Sequence, residues 1–379
     1  MVAFGVLTGE EALASIEFPV IASVIGILIL VSVVRSSGFF AWVAIKLVKL
    51  TKGNPLKMMF VFSILSAFVA SFLGGSATIL IMGGLIVTIT KQINLKTQPY
   101  LMAAGLMVSV GGGFFLTGGA TNILIANAAG FSFNDFFFNS FPIALALAIL
   151  TPFFFSWYFK IENKDFGEIL LDERAAVENW RKFYLSAGLF SGTVAMFVIS
   201  GLAGFDVKIV AIGAGILALL ISDFEPERAF REVQWETLFF LIGLFVLVGG
   251  LEKSGIFSRV TDALSSVLGG FLGLLVIIWV VGLVSGFVNS LPLVLALIPI
   301  LSGVIEKTGQ PAGPIFWALL LGIAFGGNLT PIGTSSSILT MGIGKNTGNP
   351  LGFSEFLKIS AITTIIHLLA ITAWVFLRY

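Results

Sequence analysis

"GGNLTPIGTSSSIL", residues 326–339, sets three glycines, a proline and five hydroxyl side chains inside a stretch that is otherwise continuously apolar. A helix does not run smoothly through such a segment, because Gly and Pro are the residues least compatible with a helix interior. In hydrocarbon an unpaired backbone N–H or C=O costs several kcal/mol, so unwound chain survives only where it faces protein or a water-filled cavity. The segment therefore lines something, and the rest of the chain shows what.

Hydrophobic residues make up 57% of the 379, charged residues 11%, and the mean hydropathy is +1.06. Apolar runs of transmembrane length recur, so the chain reads as an all-α polytopic membrane protein. A net charge of +1 points to no nucleic acid or acidic partner. The absence of cysteine excludes disulfides, thiolate metal sites and a cysteine nucleophile. Before the first apolar run stand Glu10, Glu11 and Glu17 and no basic n-region, so that run reads as a retained span and not as a signal peptide.

Single spans are expected near 18–34, 137–159, 183–203, 207–222, 235–251 and 357–377. Residues 57–90 and 272–306 are too long for one crossing and carry "LGGSAT" (73–78) and "VNSLP" (288–292) in their middles, so each is expected to be a re-entrant hairpin of two short helices. Residues 99–130 and 313–345 are interrupted by "GGGFFLTGGATN" (111–122) and "GGNLTPIGTSSS" (326–337), and each is expected to be a broken helix. An isolated glycine in such sequence serves close helix packing. Four interruptions in matched positions call for a different reason.

They are matched because the chain repeats itself. Residues 10–40 align with 227–257, pairing Glu10 with Glu227, Ala12 with Ala229, Gly26 with Gly243 and Gly38 with Gly255; further on Gly118 pairs with Gly333 and Asn122 with Ser337. An odd number of crossings separates the copies, so the two repeats have inverted topology. The expected division is a first repeat at 1–159, a cytoplasmic linker at 160–182, two extra scaffold spans at 183–222 and a second repeat at 223–379. With the N-terminus outside, sixteen of the 21 Lys and Arg fall on the cytoplasmic side, which sets that orientation in a cell membrane. The amphipathic stretches 39–53 and 256–270 follow equivalent spans; Lys46, Lys49 and Lys52, three apart, are expected to share one face of an interfacial helix.

Hairpin tips and helix breaks at mid-depth present amides at half-helix N-termini, which favour an anion, and carbonyls at C-terminal ends, which suit a desolvated cation such as sodium. The expected binding residues are Gly75, Ser76 and Thr78 at the first tip, and Thr117, Gly118, Thr121 and Asn122 at the first break. Asn289, Ser290 and Pro292 supply the second tip, and Asn328, Thr330, Gly333, Thr334, Ser335, Ser336 and Ser337 the second break. None is ionisable, which argues against a proton relay through them. No cofactor is expected; a sodium ion could be held by the Asn122 and Ser337 segments. His367, the one histidine, stands alone on an apolar span and reads as a packing or hydrogen-bonded residue.

At these residues the chain resembles the ion transporter superfamily, most closely the arsenite permease and sodium/proton antiporter-like branch that includes citrate and divalent-anion permeases. "GGNLTPIGTSSSIL" is similar to that family's GGN-x-T-x-IG-x-x-x-N pattern, and "GGGFFLTGGATNILIANAAGFSFNDFF" (111–137) is its weaker first copy. The resemblance implies re-entrant hairpins, a homodimer and elevator-type alternating access. Two departures stand out: Gly74-Gly75 where relatives often carry an Asp-Asn or Asn-Asp pair, and Ser337 where the pattern ends in Asn. The expected function is secondary-active transport of a small anion or oxyanion-like solute, with sodium as coupling ion. Arsenite efflux and sodium/proton antiport are the alternatives within that class. An intramembrane enzyme, with Ser335 or Ser336 as nucleophile, is the alternative outside it, and the residues for it are sparse.

Overall fold

The structure, a computed structural model, describes residues 1–164, 169–221, 227, 231, 233–268, 270–345, 347 and 350–379. Arg228, Ala229, part of the 160–182 linker and the 222/223 boundary lie outside them. The described residues form helices joined by turns, with no strand among them, and nine of these helices are long and apolar enough to cross a membrane.

A short helix α1 (Gly9–Ala14), closed by a Thr8–Glu11 capping box, leads into the spanning helix α2 (Phe18–Ser36), which opens on Pro19 in its first turn. Gly38 (φ 80°) then turns the chain into the interfacial helix α3 (Phe39–Lys49). Phe40, Ala44 and Val48 form the buried stripe of α3 at helical spacing. Lys49 reaches Glu173 at 2.6 Å. Lys52 does not share this face as expected: it lies past the end of α3 with φ 51°, in the turn that leads to the first hairpin.

That hairpin is α4 (Pro55–Leu73) and α5 (Gly75–Gln92), hinged on Gly74 (φ 72°). Its arms are longer than the two short helices expected from the sequence. At 19 and 18 residues each extends about 28 Å. The physical reason is that the break occupies one residue: Gly74 N–H donates to Ala70 and Thr78 N–H to Gly74, so both helices run to the hinge. Helix α6 (Thr97–Gly112) ends in a 3-10 turn at Leu116–Gly118 before α7 (Ala120–Ala129), and α8 (Phe133–Asn139) and α9 (Phe141–Tyr158) close the first half.

Two further helices follow, the span α10 (Trp180–Ala203) and α11 (Val207–Ile221), which at 15 residues is shorter than the full span expected at 207–222. α11 lies against α2 at very close range, for a Cβ on Gly26 would stand 2.3 Å from the Ala211 carbonyl oxygen and one on Gly215 2.6 Å from Gly26 Cα. The second half then repeats the first: span α12 (Trp235–Lys253), interfacial α13 (Ile256–Ser265), hairpin α14 (Gly270–Ser285, with a π-helical turn at Ile277–Val281) and α15 (Ser290–Thr308). The broken helix α16 (Ala312–Gly326) and α17 (Ser335–Lys345) and the last span α18 (Phe353–Arg378) complete it. Gly255 (φ 72°) does between α12 and α13 what Gly38 does between α2 and α3.

Contacts at the helix ends define two faces. Glu11 pairs with Lys253 at 2.6 Å, and Arg378 donates to Asn139 at 2.7 Å, on the face bearing the N-terminus. Lys49–Glu173 and Gln98–Glu355, both 2.6 Å, close the opposite face. Because α2 leaves the N-terminal face and α12 arrives at it, the repeats are inverted. Their hydrogen-bonded ammonium partners, Lys253 and Lys49, hold the carboxyls of Glu11 and Glu173 below the usual carboxylate range. These carboxylates stay paired above their ordinary pKa, and the contacts are lost as pH falls through the lowered values. The core lies around α6, α16 and α4, with Ala312–Leu329 72% buried, whereas α12 at 22% presents most of its surface outward, as a lipid-facing helix would.

Candidate functional site

The two broken helices use the same backbone contacts, at a constant offset of 215 residues. A Cβ on Gly111 would stand 1.8 Å from the Ala67 carbonyl oxygen, and one on Gly326 2.1 Å from that of Gly282, so each broken helix is pressed directly on its hairpin. Within each break a Cβ on Gly118 would meet Gly112 O at 2.3 Å, and one on Gly333 would meet Gly327 O at the same distance. Only glycine permits these approaches.

Where helices end, carbonyls lose their partners. Side chains take up several of them here. Asn122 donates its carboxamide to Gly112 O at 2.7 Å and Phe115 O at 2.8 Å. Thr117 donates to Ser71 O at 2.9 Å, and Thr330 donates to Gly286 O, which is the repeat equivalent of Ser71. Asn328 donates to Leu106 O at 2.7 Å and accepts from the Ser109 hydroxyl at 2.7 Å, tying the second break to α6 of the first half. Thr334 contacts the Ser336 and Ser337 hydroxyls at 3.0 and 2.8 Å and accepts from Ser337 N–H at 3.2 Å, closing the first turn of α17.

Between these elements lies a cavity of about 360 Å³, within the size range of small-molecule sites. The four helices that restart after a tip or break, α5, α7, α15 and α17, all bring their first residues to it: Gly75 and Ser76, Ala120 and Thr121, Ser290, and Ser335 and Ser336. Twelve of the seventeen residues singled out in the sequence line it: Gly75, Ser76, Thr117, Gly118, Thr121, Asn122, Asn289, Ser290, Gly333, Thr334, Ser335 and Ser336. The other five lie beside or behind it. Thr78 is turned back onto Gly74 O at 2.8 Å, Pro292 sits in the first turn of α15, and Asn328, Thr330 and Ser337 are buried in the contacts just described. Three polar lining residues, Ser109, Gln234 and Thr237, were not among the sequence candidates. Ser109 was legible only as a lone hydroxyl in an apolar helix, and the other two as the ordinary polar start of a span. One wall of the cavity is apolar, formed by Val24, Ile27, Leu28 and Val31 of α2, and among the described residues none that lines it carries a charge.

His367 lies outside the cavity. Its Nε2 is 2.9 Å from the Thr151 hydroxyl of α9, its ring stands edge-on to Phe325, and it is fully buried. Nδ1 and the Thr364 hydroxyl one turn away have no partner among the described residues. The contact joins α9 to α18, the repeat-equivalent closing helices of the two halves. His367→Gln is expected to lower thermal stability by up to about 1–3 kcal/mol, the cost of disturbing a buried hydrogen bond, while the pH profile of uptake keeps its shape. A flattened or shifted profile in a folded variant would make His367 a proton carrier.

Comparison with known proteins places these features in a family. The CitMHS family model, described as citrate transporter, matches residues 1–322. A 46 kDa membrane protein of Mycobacterium leprae is 31% identical over 374 residues, covering 96% of this chain and 87% of that protein. An uncharacterized transporter of Mycobacterium tuberculosis is 30% identical over 393 residues, covering 100% of this chain and 91% of that one. The human P protein is 24% identical over 430 residues, and the alignment spans 51% of it. Among solved structures, the crystal structure of the Alcanivorax borkumensis YdaH transporter, titled as having an unusual topology, superposes with a TM-score of 0.69. It covers 99% of this chain and 86% of that one at 13% identity, a likeness of fold.

Proposed function

The chain belongs to the citrate transporter family, and from that premise we propose that it is a secondary-active carrier of a small anion, held in the cavity between the two breaks and coupled to sodium. The observation that carries this reading is how the helix ends are treated. Four helix N-termini reach the cavity, whereas the carbonyls of Ser71, Gly112, Phe115 and Gly286, at C-terminal ends or in the breaks, are already occupied by side-chain donors. The positive ends of the helix dipoles are thus left to the solute and much of the negative charge is neutralised internally. That balance favours an anion.

Uncharged oxygens near Asn122 and Ser337 suit sodium as the co-transported ion, and the lack of a titratable lining residue among the described residues disfavours proton exchange. In this reading the hairpins and broken helices move as a unit past the wall formed by α2, in an elevator-type cycle, within a homodimer whose N-terminus is outside. Purified protein in liposomes, offered a panel of radiolabelled small anions including citrate, is expected to accumulate at least one of them, faster with an inward sodium gradient. Uptake indifferent to sodium would overturn the coupling. Uptake of no anion, or only of neutral arsenous acid, would overturn the anion assignment.

A further inference from the structure

A second pocket, of about 280 Å³, lies on the N-terminal face beside the turn between α10 and α11. We propose that it is the vestibule through which the same solute reaches the cavity from that face, and that Ile27, Leu116 and Ile123 form the single-layer barrier between them. This rests on the carrier reading above.

Ile27 and Ile123 line both spaces, one from each side. The 3-10 turn supplies the rest of the partition, since Leu116 faces the pocket and its chain neighbours Thr117 and Gly118 face the cavity. The two spaces are therefore one residue apart. α7 runs from one to the other, placing Thr121 and Asn122 in the cavity, Ile123 at the partition and Asn127 in the pocket. The pocket has polar groups to receive a solute, Asn127 and the Asp206–Lys208 pair at 3.6 Å, while the Ser132 hydroxyl is spent on Asp135.

The opposite side is arranged differently. Gln234 and Thr237, which line the cavity, begin α12 at the face away from Lys253 and Glu11, and Gln234 is exposed. Ile123 is 7% exposed and lines the cavity, whereas its repeat equivalent Ile338 is 54% exposed and stands clear of the cavity wall. Two halves alike in sequence thus differ in whether this position is covered, with the covered copy on the N-terminal face. The structure is closed by this apolar layer on one side and approachable on the other.

The chain has no cysteine, so single cysteines report accessibility directly. A membrane-impermeant maleimide is applied to one face at a time of oriented vesicles. Asn127→Cys is expected to react from the N-terminal face and Ser76→Cys from the opposite face. Adding Ile27→Ala or, independently, Ile123→Ala should raise the reaction of Ser76→Cys from the N-terminal face at least tenfold. An unreactive Asn127→Cys, or a rate of Ser76→Cys reaction from the N-terminal face that neither substitution changes, overturns the proposal. Labelling needs no solute, so the two readings fail separately. Failed anion uptake with the expected labelling sinks the carrier assignment alone, and normal uptake with unchanged labelling sinks the barrier alone.

Discussion

Gly111→Ala and Gly326→Ala are each expected to destabilise the protein by about 1–3 kcal/mol or more, the usual cost of forcing an extra methyl into a packed interior. The upper end is favoured because the obstacle is backbone. The added Cβ would stand 1.8 Å from the Ala67 carbonyl oxygen in one case and 2.1 Å from that of Gly282 in the other, and neither can rotate aside as a side-chain tip could. Gly84→Ala and Gly342→Ala, also within helices, meet nothing within 4 Å. They should hold or gain stability, because alanine is the better helix former by up to about 1 kcal/mol. Thermal unfolding in detergent separates the pairs. Equal melting temperatures for all four variants would show that the hairpins are not pressed on the broken helices. A drop at Gly111 without one at Gly326 would show that the halves have lost their equivalence.

Those glycines show what the sequence discloses and what it withholds. "GGGFF" and "GGNLT" announced that a helix ends, and the matched pair Gly38 and Gly255 announced that a span turns into an interfacial helix; both statements concern local backbone and depend on few neighbours. The length of the first hairpin's arms was not legible. A single glycine in the left-handed region suffices for the turn, and the "LGGSAT" run suggests a wider break than Gly74 makes. Nor could the sequence divide the polar residues into those that face the cavity and those that hold the backbone. Thr330 and Asn328 look like binding residues by type. They are engaged instead with Gly286 O, Leu106 O and Ser109, because those groups, distant in sequence, lie within hydrogen-bond reach after folding.

The same division separates Ser335 from Asn122. Ser335 opens α17 at the cavity, is exposed, and its hydroxyl meets no protein partner among the described residues. Its removal should leave thermal stability unchanged. If the hydroxyl contacts an ionised solute, the loss of about 1.5–3 kcal/mol raises the half-saturation concentration about tenfold or more. Asn122 also lines the cavity, yet both its N–H groups are spent on Gly112 O and Phe115 O, and the carboxamide oxygen is what remains for an ion. Asn122→Ala would strand two buried carbonyls, at about 1–3 kcal/mol for each group left unsatisfied. It should therefore lower the melting temperature and raise the half-saturation for solute or sodium together. Uptake kinetics and unfolding measured on both variants decide the matter. A Ser335→Ala protein with unchanged half-saturation removes that hydroxyl from the solute's contacts. An Asn122→Ala protein as stable as the parent means that water can replace the carboxamide, so that the break is wet at a point where two carbonyls would otherwise hold it shut.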